Sequence, residues 1–156
     1  MTAAHKVKSY LDQHDTQYEL VAHPKTYSSH DTARAAHISD DHIAKGVLVR
    51  DTRGHALVVL PGNSWVKLEA LRAETGRAFE LAAESEVDAV FADCQPGAVP
   101  ALGPAYGLET YVDESLGSLA HVYFEAGSHE ELVKVSGKAF GELLRGARHG
   151  HFSHDE

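Results

Sequence analysis

Three places in the sequence carry residue types that can act on a ligand. Lys45 closes the short polar segment DDHIAK and opens the apolar run GVLVRD. A lysine at the mouth of a buried strand packs its stem on apolar surface and keeps its ammonium at the sheet edge, in reach of a phosphate or hydroxyl. A snorkelling surface lysine fits the same position. Pro96-Gly97-Ala98-Val99-Pro100 is the second place. Proline fixes φ and glycine permits φ > 0, so the pair holds a bend and can present backbone N–H groups to an ester carbonyl or a developing oxyanion. A stiff connection without a ligand reads the same way. Gly127-Ser128-His129 is the third, between two expected strands. His129 there can contact a substrate or simply face water.

Other chemistry finds less support. Cys94 is the single cysteine, so no intramolecular disulfide or multi-cysteine zinc site forms. Its neighbours Asp93, Gln95 and Pro96 do not favour a thiolate, and an inert thiol is expected. No Gly-x-Ser-x-Gly, P-loop or Gly-x-Gly-x-x-Gly pattern occurs. His149, His151 and His154 cluster near the end, with no framework to fix a geometry, so adventitious metal affinity is the most they suggest. No metal site is expected, and His37 and His42 read as surface residues.

These groups need a scaffold. Val7, Tyr10 and Leu11 at helical spacing predict a helix over 3–13. A short strand follows at 18–21, then the loop HPKTYSS and a helix to His37. Residues 46–51 and 55–60 are two β-rich runs around Thr52-Arg53-Gly54, which predicts a hairpin. A helix is expected over 64–75, a short strand over 79–82, and a helix over 86–91 capped by Ser85. Residues 94–107 hold three prolines and three glycines and read as a loop. Strands follow at 108–112, 121–125 and 132–135, then a helix over 137–145. The fold expected is α+β, a mixed and mostly antiparallel β-sheet flanked by helices. One domain over 1–148 and a frayed, flexible His-rich tail over 149–156 complete the reading.

The length of 156 residues allows one sizeable core, and no stretch approaches the roughly 20 apolar residues that span a bilayer. The first residues lack the apolar core of a secretory signal. A cytoplasmic location and no membrane partner are therefore expected. The formal net charge of −9 argues against wrapping a long phosphate backbone, DNA included. The charge is uneven. Residues 25–77 hold eight Lys or Arg against six Asp or Glu, whereas 78–133 hold eleven acids and no Lys or Arg. An anionic ligand should meet the first half, through Lys25, Arg34, Lys45, Arg50 and Arg53. A solubilising acidic surface explains the second half without any ligand.

Taken in order, HPKTYSSHDTA, HIAKGVLVRDTRGHALVVLPG, DCQPGAVPALGP, YVDESL and FEAGSHEELVKVSGKAF form a set. The sequence from about residue 5 to 145 resembles the YbaK/prolyl-tRNA-synthetase-associated domain family of aminoacyl-tRNA editing deacylases. The resemblance implies a mixed sheet around a small pocket, and hydrolysis of the ester between a wrong amino acid and its tRNA without metal or cofactor. Lys45 matches the family's essential lysine, set against the terminal adenosine. Gly97, Ala98 and Pro100 match the loop whose backbone faces the substrate carbonyl, although the family often reads Gly-x-x-x-Pro and this chain reads Gly-x-x-Pro. His129, with Gly127 and Ser128, matches a position that sets amino-acid size. Thr26, Tyr27 and Ser28 lie where the family lines the amino-acid pocket, and Asp113 matches a structural aspartate. The implied partners are the acceptor end of aminoacyl-tRNA and a synthetase.

An aminoacyl ester is already activated, so a positioned water and a stabilised oxyanion suffice, and the absence of a nucleophile motif is no obstacle. A catalytically silent binding module of the same fold is the competing expectation. Retention of Lys45 and of the Gly/Pro loop favours the enzyme. A His-rich metal carrier rests on the tail alone.

Overall fold

The computed structural model describes residues 4–26 and 29–155. The chain runs α1 (His5–Gln13), β1 (Glu19–Ala22), α2 (Ser29–Ala36), β2 (Ala44–Asp51), β3 (Gly54–Pro61), β4 (Ser64–Val66), α3 (Leu68–Thr75), β5 (Glu80–Leu81) and α4 (Glu84–Val90). It continues with β6 (Glu109–Asp113), β7 (His121–Glu125), β8 (Glu131–Ser136), α5 (Gly137–Leu143), β9 (Arg148–Gly150) and β10 (Ser153–Asp155). The main sheet has the order β5-β2-β3-β6-β9. A second sheet is β1-β8-β7, and β4 pairs with β10. The pairs β3–β6 and β6–β9 are parallel, and the other ladders are antiparallel. This is the mixed, mostly antiparallel α+β architecture expected. A single bridge between Ile43 and Tyr123 ties the two larger sheets where β2 begins.

Strand β3 explains how the core is organised. Ala56, Leu57, Val58, Val59 and Leu60 are all fully buried. Leu57 and Val59 face one cluster with Leu48, Phe124 and Phe140. Ala56, Val58 and Leu60 face another with Leu71, Phe79 and Phe152. A strand covered on both faces needs a continuous apolar run rather than an alternating one, which is what HALVVL supplies. On α1, Val7 and Leu11 are fully buried, one turn apart on the face that meets the core.

Three expectations are corrected. Residues 64–66 are a strand, and the helix starts only at Leu68. Trp65 and Val66 find a β partner in residues 153–154, a pairing no local window contains. Helix α4 begins at Glu84, and it is Glu86 whose carboxylate takes the Ala83 N–H at 2.7 Å, rather than Ser85 capping the helix. The segment after 148 is not a frayed tail. Its strands complete two sheets, and Phe152 between them is fully buried. Asp113 holds it there by accepting the Phe152 N–H at 3.0 Å. Burial works against ionising Asp113, but hydrogen bonds from Ser115, Ser153 and the backbone prevail and keep its carboxyl below the usual range. Among the described residues no helix is long and apolar enough to cross a membrane.

Candidate functional site

The loop after Cys94 lies along the turn between β7 and β8. Gln95 N–H donates to the Gly127 carbonyl at 2.8 Å, and His129 N–H donates to Gln95 Oε1 at 3.0 Å. The His129 imidazole then meets the Pro96 carbonyl through Nε2 at 2.6 Å. A carbonyl can only accept, so Nε2 carries the proton. This contact orients the next peptide. In a trans peptide the C=O and N–H point in opposite directions. With the Pro96 carbonyl turned onto His129, the Gly97 N–H points away from the imidazole. Gly97 is exposed, and its N–H has no partner among the described residues. Its φ of +84° is the left-handed conformation that glycine adopts without strain. Ala98 and Pro100 are buried, and Ala98 N–H closes the turn on the Gln95 carbonyl at 3.0 Å.

Behind His129 lies Glu125. Its Oε2 is 3.2 Å from His129 Nδ1, and the two side chains are only 12% and 6% exposed. Burial pushes the Glu125 carboxyl up to about 7, against the opposing pull of His129. A dry site tolerates a neutral carboxyl better than a lone charge.

Thr26 sits on the other side of His129. Its N–H donates to the His129 carbonyl at 3.3 Å, and its hydroxyl meets that of Thr32 on α2 at 2.6 Å. Ser128 is buried, and its hydroxyl accepts the Glu130 N–H at 3.1 Å. Gly127 is packed so tightly that a Cβ would lie 2.8 Å from that of Ala4. These two residues shape the turn that carries His129. Tyr27 and Ser28 lie outside the described residues.

Lys45 lies at the start of β2. Its Nζ donates to the Gly62 carbonyl at 3.2 Å and lies 5.5 Å from the centroid of the Trp65 ring. Gly46 brings the loop close. A Cβ there would stand 3.1 Å from the Pro100 carbonyl oxygen, so any larger residue would push strand and loop apart by a few tenths of an ångström. Along β2, Lys45 pairs with Leu60 and Gly46 with Val59, so the Lys45 stem leaves the sheet on the face opposite the one where Pro100, Gly97 and His129 lie. The basic patch expected from the sequence does not hold together. Arg50 and Arg53 lie at the far end of the β2–β3 hairpin, about 16 Å along the strand from Lys45. Arg50 is engaged there by Glu80 at 2.7 Å.

The Cys94 thiol is pushed up to about 12 by burial and contacts the Tyr106 hydroxyl at 3.4 Å, so it supplies no thiolate. Among the described residues no cluster of three His, Cys, Asp or Glu side chains could hold a metal ion. Gln95, Glu125, Gly46 and Trp65 were not singled out in the sequence. A glycine within an apolar strand signals close backbone approach and could have marked Gly46. Nothing local distinguishes the other three.

The chain belongs to the aminoacyl-tRNA editing domain family, whose model matches residues 23–143. No protein of curated function matches the sequence. Several solved structures share the fold. The hypothetical protein APE2540 is 24% identical, with a TM-score of 0.85 over 96% of this chain and 99% of its own. A candidate trans-editing enzyme for prolyl-tRNA synthetase is 23% identical, with a TM-score of 0.79 over 96% of this chain and 95% of its own. A protein from Marinobacter aquaeolei VT8, described as a candidate signal transduction protein, is 23% identical with a TM-score of 0.80. The match covers 96% of this chain but only 30% of that longer one.

Proposed function

We propose that the chain is an aminoacyl-tRNA deacylase acting in trans. It would hydrolyse the ester of a small amino acid such as Ala, Cys or Ser wrongly attached to tRNA, with tRNA for proline the first to test. The observation that carries this reading is the exposed Gly97 N–H, turned outward by the His129–Pro96 contact and without a partner among the described residues. The family match supports the substrate class.

The chemistry follows from the Gly97 loop and the residues beside it. The ester carbonyl accepts the Gly97 N–H. Water attacks the carbonyl carbon, with the adjacent tRNA ribose hydroxyl orienting it. The oxygen that becomes an oxyanion is met by a donor already in place, which costs no reorganisation. Collapse breaks the bond to the ribose oxygen, which takes up the proton released by the water. Free amino acid and uncharged tRNA leave. Lys45 holds the terminal nucleotide by charge. Thr26 and His129 bound the side-chain pocket, where one methylene discriminates by only about 1–3 kcal/mol. The chain carries a formal net charge of −9, so tRNA affinity is weak and falls with salt. A synthetase partner would supply the missing affinity.

The test is deacylation of Ala-, Ser-, Cys- and Thr-tRNA species by wild type and by Lys45→Ala. Loss of one ester that Lys45→Ala abolishes is the expected result. No turnover across the panel by folded protein would favour a binding module.

A further inference from the structure

Trp65 has an unusual position for a large aromatic ring. It is the single tryptophan of the chain and 55% of its surface is exposed. Two other large apolar side chains among those described, Leu20 and Leu81, are also exposed, but neither carries an aromatic face. Trp65 stands beside Lys45, with the ammonium 5.5 Å from its ring centroid. The ring is carried on a strand held by its pairing with β10. Trp65 pairs with His154 on β10, and the flanking Ser64 and Phe152 are buried. Its backbone is therefore held before any ligand arrives.

We infer that Trp65 is the stacking platform for the 3′-terminal base of the tRNA. This inference rests on the deacylase reading and adds the residue that takes the terminal base. Exposed aromatic faces beside a cation are how proteins hold single-stranded nucleotide ends: the ring takes the base and the cation takes the phosphate. Trp65 and Lys45 offer those two groups within one nucleotide's reach. A base on Trp65 thus sets its sugar and phosphate near Lys45. The arrangement also explains how an acidic protein engages tRNA, because stacking needs no net positive charge.

The single tryptophan makes the test direct. Its fluorescence is titrated with the trinucleotide CCA and with adenosine 5′-monophosphate. Saturable quenching by both, greater for CCA, is expected. Deacylation kinetics are then measured for Trp65→Ala and Trp65→Phe on the ester that wild type hydrolyses. Trp65→Ala should raise KM about 5- to 150-fold, the range of one lost base stack, with kcat little changed. Trp65→Phe should recover most of that loss. Absence of quenching, or an unchanged KM in Trp65→Ala, overturns the inference while leaving the deacylase reading intact. Concentration-dependent dimerisation abolished by Trp65→Ala, without quenching by CCA, would assign the ring to self-association instead. If wild type hydrolyses no ester, the deacylase reading fails, and quenching by CCA still decides whether Trp65 binds a nucleotide end.

Discussion

The imidazole of His129 and the carbonyl of Pro96 are 2.6 Å apart, and that contact turns the following peptide outward. A residue that looks like a pocket wall is thereby also the group that sets the backbone donor. His129→Ala frees the Pro96–Gly97 peptide to rotate. Single-turnover deacylation should slow about 100-fold, the cost of losing one preorganised oxyanion donor. A variant that altered only amino-acid preference, at an unchanged rate on the best ester, would limit His129 to the pocket wall.

Glu125 gives the fold a pH dependence of definite sign. Its carboxyl is raised from 4.5 to about 7 in the folded state, chiefly by burial. The folded protein therefore binds this proton more tightly than the unfolded chain. The contribution is full below about pH 4.5 and is lost as pH rises through about 7. Glu125→Gln removes this loss. Its melting temperature should fall less than that of wild type between pH 5 and 8, which thermal denaturation across that range measures.

Gly97→Ala separates backbone conformation from space. A Cβ at Gly97 would lie 3.6 Å from the His129 ring, an ordinary contact, but φ of +84° is costly for alanine. The substitution should cost about 1–2 kcal/mol of stability or reshape the loop, and reduce kcat more than it raises KM. Denaturant titration and steady-state kinetics distinguish the two effects.

Phe152 tests the role of the last residues. Its ring is fully buried against Tyr111, at a centroid distance of 6.0 Å. Phe152→Ala should destabilise the fold by about 3–5 kcal/mol. Removal of residues 149–156 should do at least as much, since it also strips β4 of its partner. A truncated chain that melted at the wild-type temperature would restore the picture of a dispensable tail.

Local pattern carried much of this protein. The β2–β3 hairpin was readable because apolar β-rich runs flank a Thr-Arg-Gly turn, and the pairing is short range. Lys45, the Gly97 loop and His129 stood out as candidates because their residue types are unusual for their surroundings, and the family resemblance implied that they share a site. What sequence could not supply was anything made by chain segments far apart. Residues 64–66 pass for the first turn of a helix until residues 153–155 arrive to pair with them. RHGHFSHDE reads as polar and frayed because one phenylalanine among histidines gives no period, yet that ring fills a gap beneath the main sheet. The arginines near Lys45 in sequence are far from it in space because an extended strand separates them. Glu125 gains its raised pKa only through burial behind His129, and Trp65 and Lys45 meet only once β2 and β4 are folded together. Residue chemistry and local periodicity are written in the chain, whereas burial, through-space distance and the direction of a peptide N–H exist only once the sheets have closed.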